Sequence, residues 1–185
     1  MTASVLPTLG QLTSEMEPTA LEGLQGAQRE VGQELLQELM KDWQREAGDD
    51  SDTPVVYRIL REDYAQLIDG LGPEERLTAL RGQVLERRVR AVGVRGWELG
   101  TRTVDGALPD DVAHAQGERL LEDVDALLPS LRALPDRALG ARLERDLEEA
   151  RLEALYAIER KAMSPRLQRY LEDQRGAPTP PQIIP

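Results

Sequence analysis

Apolar residues recur along this chain at three- and four-residue intervals for most of its length, which is the period of an amphipathic helix. Leu21, Leu24, Val31, Leu35, Leu39 and Trp43 predict a first helix from Pro18 to about Glu46, with Pro18 at a first helical position where its missing N–H costs nothing. Gly23, Gly26 and Gly32 weaken it by about 1 kcal/mol each relative to alanine, or else let another helix approach closely. "AGDDSDTP" reads as a turn, and Thr53-Pro54 caps a second helix whose stripe is Val56, Leu60, Tyr64, Leu67 and Leu71. Pro73, Glu74 and Glu75 open a third, the acids suiting the positive end of its dipole, and it should run to about Ala91.

Residues 92–104 break the pattern. Gly93, Gly96 and Gly100 among Val, Trp and Thr suit a short hairpin or irregular segment better than a helix, with a helix carried through by packing as the alternative. Beyond "DGALP" the stripe Leu120, Val124, Leu127, Leu131 and Leu134 is helical again, and Pro129 is expected to kink or split it. Pro135 and Asp136 begin what reads as the longest helix, with Leu139, Leu143, Leu147, Ala150, Ala154 and Ile158 inward. Ser164-Pro165 caps a last helix to about Gln174. Residues 1–17 read as a flexible lead-in and 176–185 as an extended proline-rich tail. The expectation is an all-α protein, an antiparallel helical bundle of five to seven helices, as one domain over 18–175 with 18–47 able to form an N-terminal helical arm.

Composition changes this picture in three ways. The 185 residues suffice for a core without staples, but it must be built of Leu, Val and Ala, because there is no Phe. Trp43, Trp97, Tyr57, Tyr64, Tyr156 and Tyr170 are the only large aromatic anchors. The absence of Cys removes disulfides, thiolate catalysis and cysteine metal sites together. No segment approaches the roughly 20 apolar residues of a membrane span, and the first residues lack a basic-then-apolar leader, so a soluble, cytoplasmic protein without membrane contact is expected. Lysine occurs only at Lys41 and Lys161 beside many Arg and Ala, a bias that follows GC-rich codons and carries no mechanism.

With 34 acids against 23 Lys and Arg the net charge is -11, which argues against a whole-surface nucleic-acid binder. Yet residues 76–102, "RLTALRGQVLERRVRAVGVRGWELGTR", gather seven arginines against two glutamates. On a helix from Pro73, with Leu77 at zero and about 100° per residue, Leu80, Val84 and Ala91 fall on one side and Leu85 and Val92 on the other. Arg81, Arg88 and, if the helix continues, Arg95 fall inside that apolar arc, seven residues apart, whereas Arg87 and Arg90 point elsewhere. A buried arginine needs a carboxylate or phosphate. Three readings follow. The arginines pair with acids of another helix, such as Glu144, Glu148 or Glu149, or they form a seam with a second subunit, or they make an anion site with Trp97. For nucleic acid, helices 73–81 and 83–91 with a hairpin to Val104 have the order of a winged helix-turn-helix, putting Gln83, Arg87, Arg88 and Arg90 on the reading helix and Arg95 and Arg102 on the wing. Arg81 and Arg88 then occupy positions that such a motif keeps apolar, so nucleic acid is not the favoured partner.

Other chemistry is sparse. His114, the one histidine, could share a helix face with Asp110, Asp111 and Glu118 and so hold a divalent metal, though acids at a helix start are ordinary dipole partners. "ARLERDLEEARLEALYAIERK" reads as a solvated face with its own ion pairs. No serine lies in Gly-x-Ser-x-Gly, and neither a phosphate loop nor a Gly-x-Gly-x-x-Gly turn after a strand occurs. In the tail, Pro180 and Pro181 beside the oddly apolar Ile183 and Ile184 suggest docking on a partner, against the ordinary reading of a solvated end. The sequence therefore predicts a non-enzymatic interaction or assembly protein without a cofactor, acting as a homo-oligomer or with a protein partner. A ligand-sensing domain with an arginine-lined anion site is the alternative, and a DNA-binding regulator the next.

Overall fold

In the computed structural model of the chain, residues 21–47 and 69–176 are described, apart from the side chains of 40, 42–47 and 176. The lead-in, residues 53–68 of the second expected helix, and the tail with Pro180, Pro181, Ile183 and Ile184 lie outside the described residues, while Leu71, the last of that helix's expected stripe, lies outside any helix. The described residues form five α-helices and no strand, so the fold is an all-α helical bundle. In chain order they are α1 (Gly26–Ala47), α2 (Pro73–Val104), α3 (Asp110–Arg132), α4 (Arg137–Glu159) and α5 (Pro165–Gly176). Two compact units divide the chain, residues 1–87 and 88–185, and α2 contributes to both.

In the first unit the expected helix from Pro18 is shorter than its stripe. Residues 21–23 form a turn and α1 starts only at Gly26, because Gly23 (φ 81°) and Gly26 (φ 52°) take left-handed conformations that stop the helix from extending further toward the amino terminus. Leu21 and Leu24 still reach the core, lying over Gly32 beside Leu77, where a β-carbon on Gly32 would meet a Leu21 methyl at 2.7 Å. Leu36 and Leu39, further along α1, are fully buried, each burial stabilising by about 1.5–3 kcal/mol. The Arg76 guanidinium donates to the Glu22 carbonyl at 3.1 Å and sits 3.6 Å from its carboxylate, tying the turn to α2. The start of α2 is as the sequence predicts, with Glu75 Oε2 accepting the Gly72 N–H at 3.0 Å.

Residues 92–104 are neither hairpin nor irregular segment, since α2 runs unbroken from Pro73 to Val104 and, at 32 residues, is the longest described helix. Gly96 and Gly100, which look like breakers in sequence, are where other helices come closest. A β-carbon on Gly96 would sit 3.0 Å from the Ala150 backbone of α4 and 2.8 Å from Glu153 Oε2, and one on Gly100 would sit 3.3 Å from Leu167 of α5. The dispersion attraction of such close packing offsets the weak helix propensity of glycine. The order of a winged helix-turn-helix is thereby absent, because Gly82 is helical and no wing follows it.

Helices α3 and α4 form an antiparallel hairpin. Pro129 lies inside α3 rather than splitting it, one turn from the helix end, and the carbonyl it frees belongs to exposed Asp125, where solvent can take it. The two helices pack on each other, and Leu120, Val124 and Leu131 of α3 and Leu143, Leu147, Ala150 and Ala154 of α4 are buried. Asp136 caps α4 by accepting from the Ala138 and Leu139 N–H groups at 2.9 and 3.0 Å, and Arg160 ends it in a left-handed conformation (φ 56°). Ser164 caps α5, its Oγ accepting from the Leu167 N–H at 3.2 Å.

Candidate functional site

Arg81, Arg88 and Arg95 do not occupy the inward arc that the sequence gives them. Arg81, Arg88, Arg90 and Arg95 are exposed and Arg87 is half-buried. The buried positions of α2 repeat at seven-residue steps beside the arginines rather than on them, as Leu85, Val92 and Leu99 and as Gly82, Val89, Gly96 and Thr103. In the second unit the inward face consists of Val89, Val92, Gly96, Leu99, Gly100 and Thr103, and Ala91, counted as inward from sequence, is exposed. Two of those inward positions are glycines, which add no apolar signal to a sequence pattern.

Arg76 within residues 76–102 is drawn inward, and so is Arg166 outside them. Arg166, on the first turn of α5, makes a two-pronged pair with Glu153 of α4, Nε to Oε1 and Nη2 to Oε2, both at 2.6 Å. Its Nη2 also donates to the Gly93 carbonyl at 2.9 Å, and its guanidinium carbon lies 5.5 Å from the Trp97 ring centre. Glu153 is fully buried and accepts a further hydrogen bond from Ser164 Oγ at 2.9 Å. Gly96 makes room for that carboxylate. The hydrogen bond to Glu153 raises the Arg166 pKa, desolvation works against the rise, and the charges of Glu153, Glu149 and Asp146 add to it. So "ARLERDLEEARLEALYAIERK" is not wholly a solvated face. Glu153 was readable, being three residues after Ala150 and four before Ala157, at the edge of the inward stripe. Arg166 gives no such signal, because its partner lies on another helix.

Trp97 belongs to this cluster. It is half-buried and meets Tyr170 edge-on, with ring centres 5.5 Å apart and planes at 82°. The Tyr170 hydroxyl donates to Asp105 at 2.9 Å, a bond that holds its pKa above the ordinary tyrosine value, with burial and the Asp105 charge adding to the shift.

Arg95 instead faces α3, pairing with Asp123 at 2.6 Å, while the acids named from sequence find other partners: Glu144 lies 3.6 Å from Arg132, and Glu149 3.5 Å from Arg166. Beside Arg95 opens a cleft of about 200 Å³ lined by Arg95, Glu98, Leu99 and Arg102 of α2 and Gln116, Arg119 and Leu120 of α3. Among the described residues, Arg102 and Arg119 have no carboxylate partner.

The acids around His114 do not converge. His114 Nε2 lies 3.4 Å from Glu118, Asp110 is taken by Arg160 at 2.6 Å, and Asp111 is exposed. No group of three or more His, Asp or Glu gathers as for a metal ion among the described residues. Nor, among them, is any helix long and apolar enough to cross a membrane. No protein-family model matches the chain, and no curated protein or solved structure does.

Proposed function

We propose that this is a non-enzymatic helical assembly protein that works, in the cytoplasm, through contacts with a second copy of itself. The observation that carries the reading is the outward placement of Arg88, Arg90 and Arg95 on α2 of the second unit. Arg88 and Arg95 stand seven residues apart on one exposed face, the spacing of a helix–helix seam in which charge selects the partner. The chain supplies an acid-rich counterpart. Residues 1–87 carry 17 acids against eight Lys and Arg, whereas residues 88–185 carry 17 against 15. The arginine face of one copy is therefore attracted to the amino-terminal region of another. Pro180, Pro181, Ile183 and Ile184 belong to the same proposal as a second docking element, the prolines lowering the cost of ordering the segment.

The test is solution mass by light scattering for Arg88→Glu with Arg95→Glu, beside the unaltered chain and a chain lacking residues 177–185. The double reversal should lower the mass to that of the monomer, and truncation should lower it in part. An unchanged mass in both variants would remove the proposal.

A further inference from the structure

We propose that the cleft between α2 and α3 in the second unit binds a small phosphate monoester that carries hydroxyl groups. This does not rest on the assembly reading. Its floor is apolar, made of Leu99 and Leu120, each nearly fully buried. The rim is cationic. Residues 95, 99 and 102 share one face of α2 and residues 116, 119 and 120 share one face of α3, so Arg102 and Arg119 come to the same opening from two helices.

Their state is the unusual part. In a chain with 34 acids, neither guanidinium has a carboxylate partner among the described residues. Two like charges turned to one cleft repel, and an anion held between them removes that cost. A guanidinium offers two parallel N–H groups to a pair of oxygens, and a phosphate monoester presents three oxygens and up to two charges, enough for both arginines. A monocarboxylate has one charge for the two. Arg95 is held by Asp123 at 2.6 Å, so it stands as a fixed wall of the cleft.

Glu98 decides the rest of the ligand. Its carboxylate lines the same cleft and has no ion-pair partner among the described residues. It repels a bare anion and accepts from a hydroxyl, and Gln116 can donate or accept across from it. At about 200 Å³ the cleft is smaller than the roughly 300–1,000 Å³ of pockets for drug-sized ligands, which matches a three- to six-carbon sugar or polyol phosphate better than a nucleotide.

The experiment is calorimetric titration of the full chain with glycerol 3-phosphate, inorganic phosphate, glycerol and a phosphoserine peptide. Glycerol 3-phosphate should bind more tightly than inorganic phosphate, and glycerol should give no heat. Arg102→Ala with Arg119→Ala should weaken glycerol 3-phosphate by at least about tenfold, with the melting temperature of the unliganded protein unchanged. Arg90→Ala, on an exposed residue outside the cleft, should leave binding as it was. Glu98→Gln should tighten inorganic phosphate and narrow the preference for the ester. Absence of binding by glycerol 3-phosphate, equal binding by the double variant, or tighter binding of the peptide would each overturn the assignment. Light scattering of the same samples separates this from assembly, because the mass should not change with the ester.

Discussion

Around the second half of α2, arginine is used in two opposite ways. Arg166 reaches in from α5 and finds two carboxylate oxygens, a backbone carbonyl and an aromatic ring, while Arg102 and Arg119 frame a cleft with no acid to meet them among the described residues. The first arrangement holds α4 and α5 to α2, because a buried carboxylate whose partner is removed is very costly. The second leaves charge available to something outside the fold. An arginine's meaning here is set by what faces it, and its own neighbours in sequence give little indication.

Stability measurements should separate the two groups. Arg166→Ala strands the Glu153 carboxylate in the core and should cost about 3–5 kcal/mol in urea unfolding. Arg166→Lys should recover only part of that, since an ammonium cannot form the two-pronged pair. Gly96→Ala forces a β-carbon against Glu153 and the Ala150 backbone and should cost about 1–3 kcal/mol. Gly93→Ala, with open space around the added carbon, should instead stabilise by about 0.5–1 kcal/mol. For Arg102→Ala and Arg119→Ala the change should stay within about 0.5 kcal/mol, and a larger loss would place them with Arg166 as structural.

Two smaller effects sharpen the contrast. Asp123→Asn releases Arg95 toward the cleft and should tighten glycerol 3-phosphate several-fold, an effect that loss of structure would not produce. Tyr170 should titrate above the ordinary tyrosine range, read as the absorbance change missing in Tyr170→Phe. Because its folded-state pKa is raised, the contribution it makes is complete below the unfolded pKa and fades as pH climbs through the folded one.

Local signals were the legible ones. Pro73 with Glu75, Asp136, and Ser164-Pro165 mark helix starts because a cap is made within four residues, and each is found where the sequence puts it. The stripes of α3 and α4 were readable for the same reason. What failed depends on distant contacts. Gly96 and Gly100 look like breakers until α4 and α5 are laid against them. Arg81 and Arg88 look inward because Gly82, Gly96, Gly100 and Thr103, which are buried, add no apolar weight to the stripe that fixes the inward direction. Arg166 gives no sign of its partner on another helix, and the cleft joins residues of α2 to residues of α3 that no pattern along the chain connects.

Assembly requires Arg88, Arg90 and Arg95 of α2, which face outward, to meet the acids of a second copy. Light scattering of the unaltered chain at low and at high salt tests it most directly. A mass above the monomer at low salt that falls toward the monomer at high salt is what charge-driven assembly predicts. A monomer at both salts would contradict it.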